Sequence, residues 1–94
     1  MLKQEKALRL DAFGSVVSEK NRIEILDLMG ELGEVTIKDI QRELKMTGTN
    51  AYYHLMLMIK AGMLQTRNVG RTVLYRISPQ YFENLLNIID KYTK

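Results

Sequence analysis

Between Glu43 and Glu83 the 94-residue sequence has no carboxylate, while Lys45, Lys60, Arg67, Arg71 and Arg76 all fall inside that interval. Within it stand Thr47, Gly48, Thr49, Asn50, Tyr52 and Tyr53, a cluster of small, amide and phenolic groups. Such side chains and backbone amides donate and accept hydrogen bonds, and the lysine and arginines neutralise anions. None of them makes or breaks covalent bonds without an oriented base. His54 is the single histidine and there are no cysteines, so neither a multi-histidine nor a thiolate metal site can be assembled. Paired catalytic carboxylates and a glycine-rich phosphate cradle are also missing from the sequence, so no catalytic residue, no metal ligand set and no cofactor is expected. A purely basic stretch carrying groups that match base edges and phosphate points instead to double-stranded DNA.

These residues need elements that present them together. From about Gly48 to Ala61 the spacing predicts a helix, with Ala51, Leu55, Met58 and Ile59 on one face toward the body of the domain. Thr49, Tyr52, Tyr53, Met56 and Lys60 take the opposite face, and Thr47 is placed to cap the helix. His54, one position before the inward Leu55, reads as a packing or backbone-bonding residue. Just upstream, Thr36-Ile37-Lys38-Asp39 has the form of a capping box opening a helix to about Lys45, buried through Ile37, Ile40 and Leu44. Two short helices joined by the polar break Met46-Thr47-Gly48-Thr49 form a helix-turn-helix, whose second helix enters a groove.

After Gly62 the period becomes alternating. Residues 63–67 and 72–77 read as two strands around a tip containing Gly70, with Val73, Tyr75 and Ile77 facing the core. Arg67 and Arg71 flank that tip, where they are expected to reach phosphate or the minor groove. Upstream, Lys3 to Val17 reads as an amphipathic helix through Leu8 and Phe13, and Ser18 is placed to cap a helix running to Leu32. Ile23, Leu26 and Leu28 or Met29 are expected inside, with Gly33 as the stop. Glu34-Val35-Thr36 is short and β-prone. Ser78-Pro79 opens a last helix to about Tyr92. Its apolar residues, among them Phe82, Leu85, Leu86 and Ile89, form a stripe wider than one small core needs, which predicts a homodimer.

The expected fold is mainly α with a small β-hairpin wing, a winged helix-turn-helix in the order α-α-(β)-α-α-β-β-α, as a single domain over residues 1–94. A domain of this size buries only about two-thirds of its unfolded surface, so burial by a second subunit helps. The 46% apolar and 27% charged composition is that of a globular protein, and the net charge of +3 is mild. The sequence has no apolar run long enough to span a bilayer, and its polar start is unlike a signal peptide; a cytoplasmic location with no membrane partner is expected.

Several fragments, in order and spacing, resemble the ArsR-type winged-helix repressors over nearly the whole chain. Ser18 to Leu26 is similar to the family's opening stretch, Thr49-Asn50-Ala51-Tyr52-Tyr53-His54-Leu55 to its recognition-helix core, Ala61-Gly62-Met63-Leu64 to its junction into the wing, and Val73 to Ile77 to its second wing strand. The resemblance implies a dimer built from the first and last helices, through residues such as Leu8, Phe13, Phe82, Leu85, Leu86 and Ile89. It also implies two recognition helices in successive major grooves of a near-palindromic operator. The chain departs from metal-sensing members, whose cysteine pair near the start of the third helix is replaced here by Glu34-Val35-Thr36-Ile37-Lys38. Tyr52 and Tyr53 stand where serine and arginine are more usual, so base preference does not carry over. The main reading is a DNA-binding transcriptional regulator, a repressor with an unknown effector. A winged-helix protein-interaction module, favoured by the apolar run Met56-Leu57-Met58, is the alternative. A weaker third reading is a small-molecule sensor.

Overall fold

The computed structural model describes residues 13–14 and 19–93. In chain order these form α1 (Lys20–Leu32), β1 (Glu34–Val35), α2 (Ile37–Leu44), α3 (Gly48–Lys60), β2 (Leu64–Val69), β3 (Thr72–Ile77) and α4 (Pro79–Thr93). The three strands make one antiparallel sheet in the order β1-β3-β2. The winged helix-turn-helix is therefore the architecture, with the short strand before α2 completing the wing sheet. Phe13 and Gly14 are helical. The rest of the helix expected over 3–17, with Leu8 and the cap Ser18, lies outside the described residues.

Local chemistry sets most boundaries. Gly33 ends α1 with φ +83°, a conformation that costs glycine little, and its N–H reaches the Met29 carbonyl at 2.8 Å. The N-cap position of α1 is Glu19, whose side chain makes no capping bond. In α2 the capping box forms as expected: Thr36 Oγ1 accepts from the Asp39 amide at 3.1 Å, and Asp39 Oδ2 accepts from the Thr36 amide at 2.9 Å. Two of the four orphan amides at that helix start are thereby satisfied. Gly62, also at φ +83°, closes the turn after α3; a Cβ there would sit in ordinary contact with the Tyr81 ring at 3.7 Å, so it is the backbone conformation that favours glycine. Ser78 Oγ accepts from the Tyr81 amide at 3.3 Å, with Pro79 as the first residue of α4.

The core gathers Ile25 and Met29 of α1, Val35, Ile40, Leu55, Met58, Met63 and Tyr75. Each fully buried aliphatic side chain contributes about 1.5–3 kcal/mol, so these contacts hold the helices and wing in one arrangement. Two expectations are corrected. Ile23 is 41% exposed, and Ile25, Leu28 and Met29 are the buried set of α1, with Leu26 half-buried. Leu28 and Met29 are inside as expected, and Ile25 takes the inward place expected of Ile23. Val73 is 37% exposed because the hairpin extends past the last β1 pairing, Val35 with Tyr75; only Tyr75 is buried on that face and Ile77 is half-buried.

Candidate nucleic-acid interface

α3 is anchored from beneath and open above. Ala51, Leu55 and Met58 are completely buried, and Ile59 is half-buried against them. Thr49, Asn50, Tyr52, Tyr53 and Lys60 are exposed along the outer side. Met56 and Leu57 are half-buried and Met58 belongs to the core, so much of the apolar run is used in packing.

The start of α3 presents amides that the helix itself leaves without acceptors. Lys45 takes the left-handed conformation (φ 53°, ψ 39°) to end α2, and Thr47 then caps α3, its Oγ1 accepting from the Asn50 amide at 3.1 Å. The Thr47 hydroxyl thus gives one lone pair to the cap and keeps its proton and its second lone pair for another partner. Gly48 and Thr49 occupy the first two helical positions, whose amides have no acceptor within the helix and lie at its positive end. A Cβ at Gly48 would come no closer than 3.4 Å to the Gln41 side chain, so the approach of α2 does not require glycine there.

The wing supplies the second half. β2 and β3 pair from Leu64 with Ile77 to Val69 with Thr72, leaving a two-residue turn, Gly70-Arg71. Gly70 has φ +62°, the feature of a type II′ hairpin turn, and Arg71 is exposed at the tip. Among the described residues no carboxylate pairs with Arg71. A cleft of about 440 Å³ lies between the wing and the start of α2, lined by Thr36, Lys38, Arg71, Thr72 and Val73. Lys38 was not among the residues expected at the surface that meets DNA. One signal was available: a cation in the first turn of a helix opposes the dipole, so its placement there calls for a reason beyond stability.

Arg67 behaves differently from Arg71. Its Nε and Nη2 donate to the two carboxylate oxygens of Glu34 at 2.7 and 2.8 Å. Glu34 pairs with Arg76, and Arg76 with Gln65, so these side chains share one face of the sheet, and Arg67 two positions on reaches across β3. The bond to Arg67 holds the Glu34 carboxyl below its usual value, with the charges of Arg67 and Arg76 adding to the effect. The expected phosphate ligand is, in the isolated chain, a neutralised cross-sheet tie.

Two aromatic contacts shape the outer row. Tyr53 packs edge-on against the His54 ring at 5.4 Å. Burial raises the pKa of the Tyr75 hydroxyl, and the nearby Tyr52 adds to this, which places Tyr52 beside the central strand of the wing. His54 is 7% exposed and accepts a hydrogen bond at Nδ1 from Arg22 Nε at 3.2 Å. It packs as expected, but its partner is a side chain of another helix and not the backbone.

On α4, Leu85 and Ile88 are buried within the protomer, so Leu85 has little surface to offer a second copy. Phe82 is half-buried, edge-on to Phe13 at 6.2 Å. Leu86 at 65%, Ile89 at 38% and Tyr92 at 61% remain exposed. Among the described residues no helix is long and apolar enough to cross a membrane.

Comparison with known proteins places this geometry. Residues 19–66 match the model of the family described as bacterial regulatory protein, arsR family. The arsenical resistance operon repressor of Escherichia coli is 32% identical over 76 residues, covering 81% of this chain and 65%, just under two thirds, of the repressor's own length. An HTH-type transcriptional regulator of Methanocaldococcus jannaschii is 30% identical over 92 residues, or 97% of this chain and 99% of that one. Among solved structures, the homodimeric winged helix-turn-helix DNA-binding domain of a Mycobacterium bovis protein superposes with a TM-score of 0.77 at 23% identity, covering 97% of this chain and 83% of that one.

Proposed function

The chain belongs to the arsR family of bacterial regulatory proteins, DNA-binding transcription regulators of the winged helix-turn-helix type, and we propose that it binds a near-palindromic duplex operator as a homodimer and represses transcription there. One observation carries the reading: the row Thr49, Asn50, Tyr52, Tyr53 and Lys60 faces outward on a helix whose other face is locked into the core. Asn50 and the two tyrosines are sized to meet base edges and thymine methyls, while Lys60, Lys38, Arg71 and the free amides of Gly48 and Thr49 meet phosphate. Fixing the helix beforehand lowers the ordering cost of docking.

The homodimer reading is supported by the exposed Leu86, Ile89 and Tyr92 on one helix and by the homodimeric M. bovis neighbour. The repressor reading is supported by the E. coli relative. With no cysteine in the chain, its inducing signal does not enter through thiolate ligands. Selection of bound sequences from a random duplex pool tests the proposal. An enriched inverted repeat with half-sites about 10–10.5 base pairs apart, or a multiple of that, is expected from a symmetric dimer. Enrichment of no sequence, or of a single unrepeated site by a monomer, refutes it.

A further inference from the structure

The Arg22–His54 bond has a definite chemical requirement. Arginine carries only donors, so the His54 Nδ1 that receives the Arg22 Nε–H at 3.2 Å must present a lone pair, leaving the ring proton on Nε2. The bond exists only with neutral imidazole. It joins α1 to α3 from the buried side, and the preceding residue in the chain, Tyr53, lies on the outer row with its ring against that of His54.

We infer that Arg22 and His54 are positioning residues for α3: neutral His54, held by Arg22, sets the orientation in which the outer row meets DNA, and protonation of His54 releases it, so that duplex binding fades in mild acid. The inference rests on the DNA-binding reading above. Among the described residues, the charged groups facing the ring are Arg22 on α1 and Glu19 immediately before it. Burial holds His54 below its ordinary value, the Arg22 charge adds to this, and Glu19 opposes it. Adding a proton breaks the bond and sets a second cation, on a ring that is 7% exposed, beside the half-buried Arg22. The relief is to part α1 from α3, at the point where the recognition surface is supported.

The sign is fixed by which form the competent state holds. Affinity is full above the His54 pKa of the free protein and falls as pH drops through it, by up to about tenfold per protomer for each further pH unit. The chain makes a clean system for this, because it has one histidine and no cysteine. Apart from His54 and a terminal amine, no group of ordinary pKa titrates between about pH 5 and 8.

The experiment measures duplex affinity from pH 7.5 to 5.5 at constant ionic strength, for the wild type and for His54→Gln, whose amide oxygen can accept the Arg22 bond without titrating. Wild-type affinity is expected to fall with acid while that of His54→Gln stays level. A level wild type, or two parallel curves, overturns the inference while leaving DNA binding intact. Failure of the wild type to bind any duplex at pH 7.5 sinks the DNA-binding reading itself, and this inference with it. Should His54→Gln not fold, an NMR titration of His54 in the wild type decides: a lower pKa in the duplex complex supports the inference, and an equal or higher one overturns it.

Discussion

Arg71 and Arg67 flank the same turn, yet the structure gives them opposite electrostatic roles, and salt dependence separates them. Each phosphate neutralised on B-DNA contributes about 0.9 to the slope of log affinity against log salt. Arg71 is exposed at the hairpin tip with no carboxylate partner among the described residues, so Arg71→Ala removes one such contact per protomer. For a homodimer the slope then flattens by about 1.8, which narrows the affinity ratio between 50 and 200 mM salt by about twelvefold. Arg67, bound at 2.7 and 2.8 Å to Glu34, contributes no net charge together with that carboxylate. Arg67→Ala is expected to leave the slope at the wild-type value, and Glu34→Gln, which frees the guanidinium, to steepen it. Fluorescence anisotropy with a labelled duplex over a salt series reads all three. If Arg67→Ala flattens the slope as much as Arg71→Ala, the Glu34 tie does not survive in the complex and the reasoning fails.

Four further outcomes are expected. Tyr53→Ala should change the ranking among operator variants, whereas Arg71→Ala weakens all of them alike; competition binding with a panel of duplexes distinguishes the two patterns. Leu86→Asp places a charge on the exposed face of α4 without entering the core, and should give a folded monomer by light scattering with weakened duplex binding; an unchanged dimer would remove Leu86 from the interface. Thr36→Ala removes the α2 capping bond and should cost about 1 kcal/mol, lowering the melting temperature by about 4–8 °C. Asp39 in the same box is held below its usual value, chiefly by the Thr36 amide, with Arg42 and the Thr36 side chain assisting. Its contribution is therefore present above the ordinary carboxylate range of about 4 and is lost as pH falls through the lowered value. Acid denaturation of Asp39→Asn should accordingly begin from lower stability but show a shallower loss.

What was readable in the residues follows the range of each interaction. The capping box at Thr36 and Asp39, the cap at Thr47, the stops at Gly33 and Gly62 and the turn at Gly70 involve neighbours a few positions apart, so local spacing carries them. The outer and inner faces of α3 were legible for the same reason, since a helical period separates Tyr52 and Tyr53 from Ala51 and Leu55. α1 was harder, because Ile23, Ile25, Leu26, Leu28 and Met29 offer two overlapping stripes, and only packing against β1, α2 and β3 chooses the one through Ile25. Arg67 with Glu34, 33 positions apart, and Arg22 with His54, 32 apart, depend on strand register and helix crossing, which no local pattern encodes. The first pair gives Arg67 a partner that its type alone did not suggest, and the second keeps His54 in its packing role while naming the side chain it bonds.

The strand order β1-β3-β2 also constrains how the chain comes to be folded. β1 is only two residues long and its ladder partner is β3, so Val35 waits for Tyr75 before either is covered. On a ribosome, the helix-turn-helix emerges well before the strand that completes the sheet behind it. A nascent chain ending short of residue 77 holds a recognition helix with an unfinished base, and the whole unit is expected to close in one late cooperative step. The outer row of α3 is thus withheld until β3 has been made.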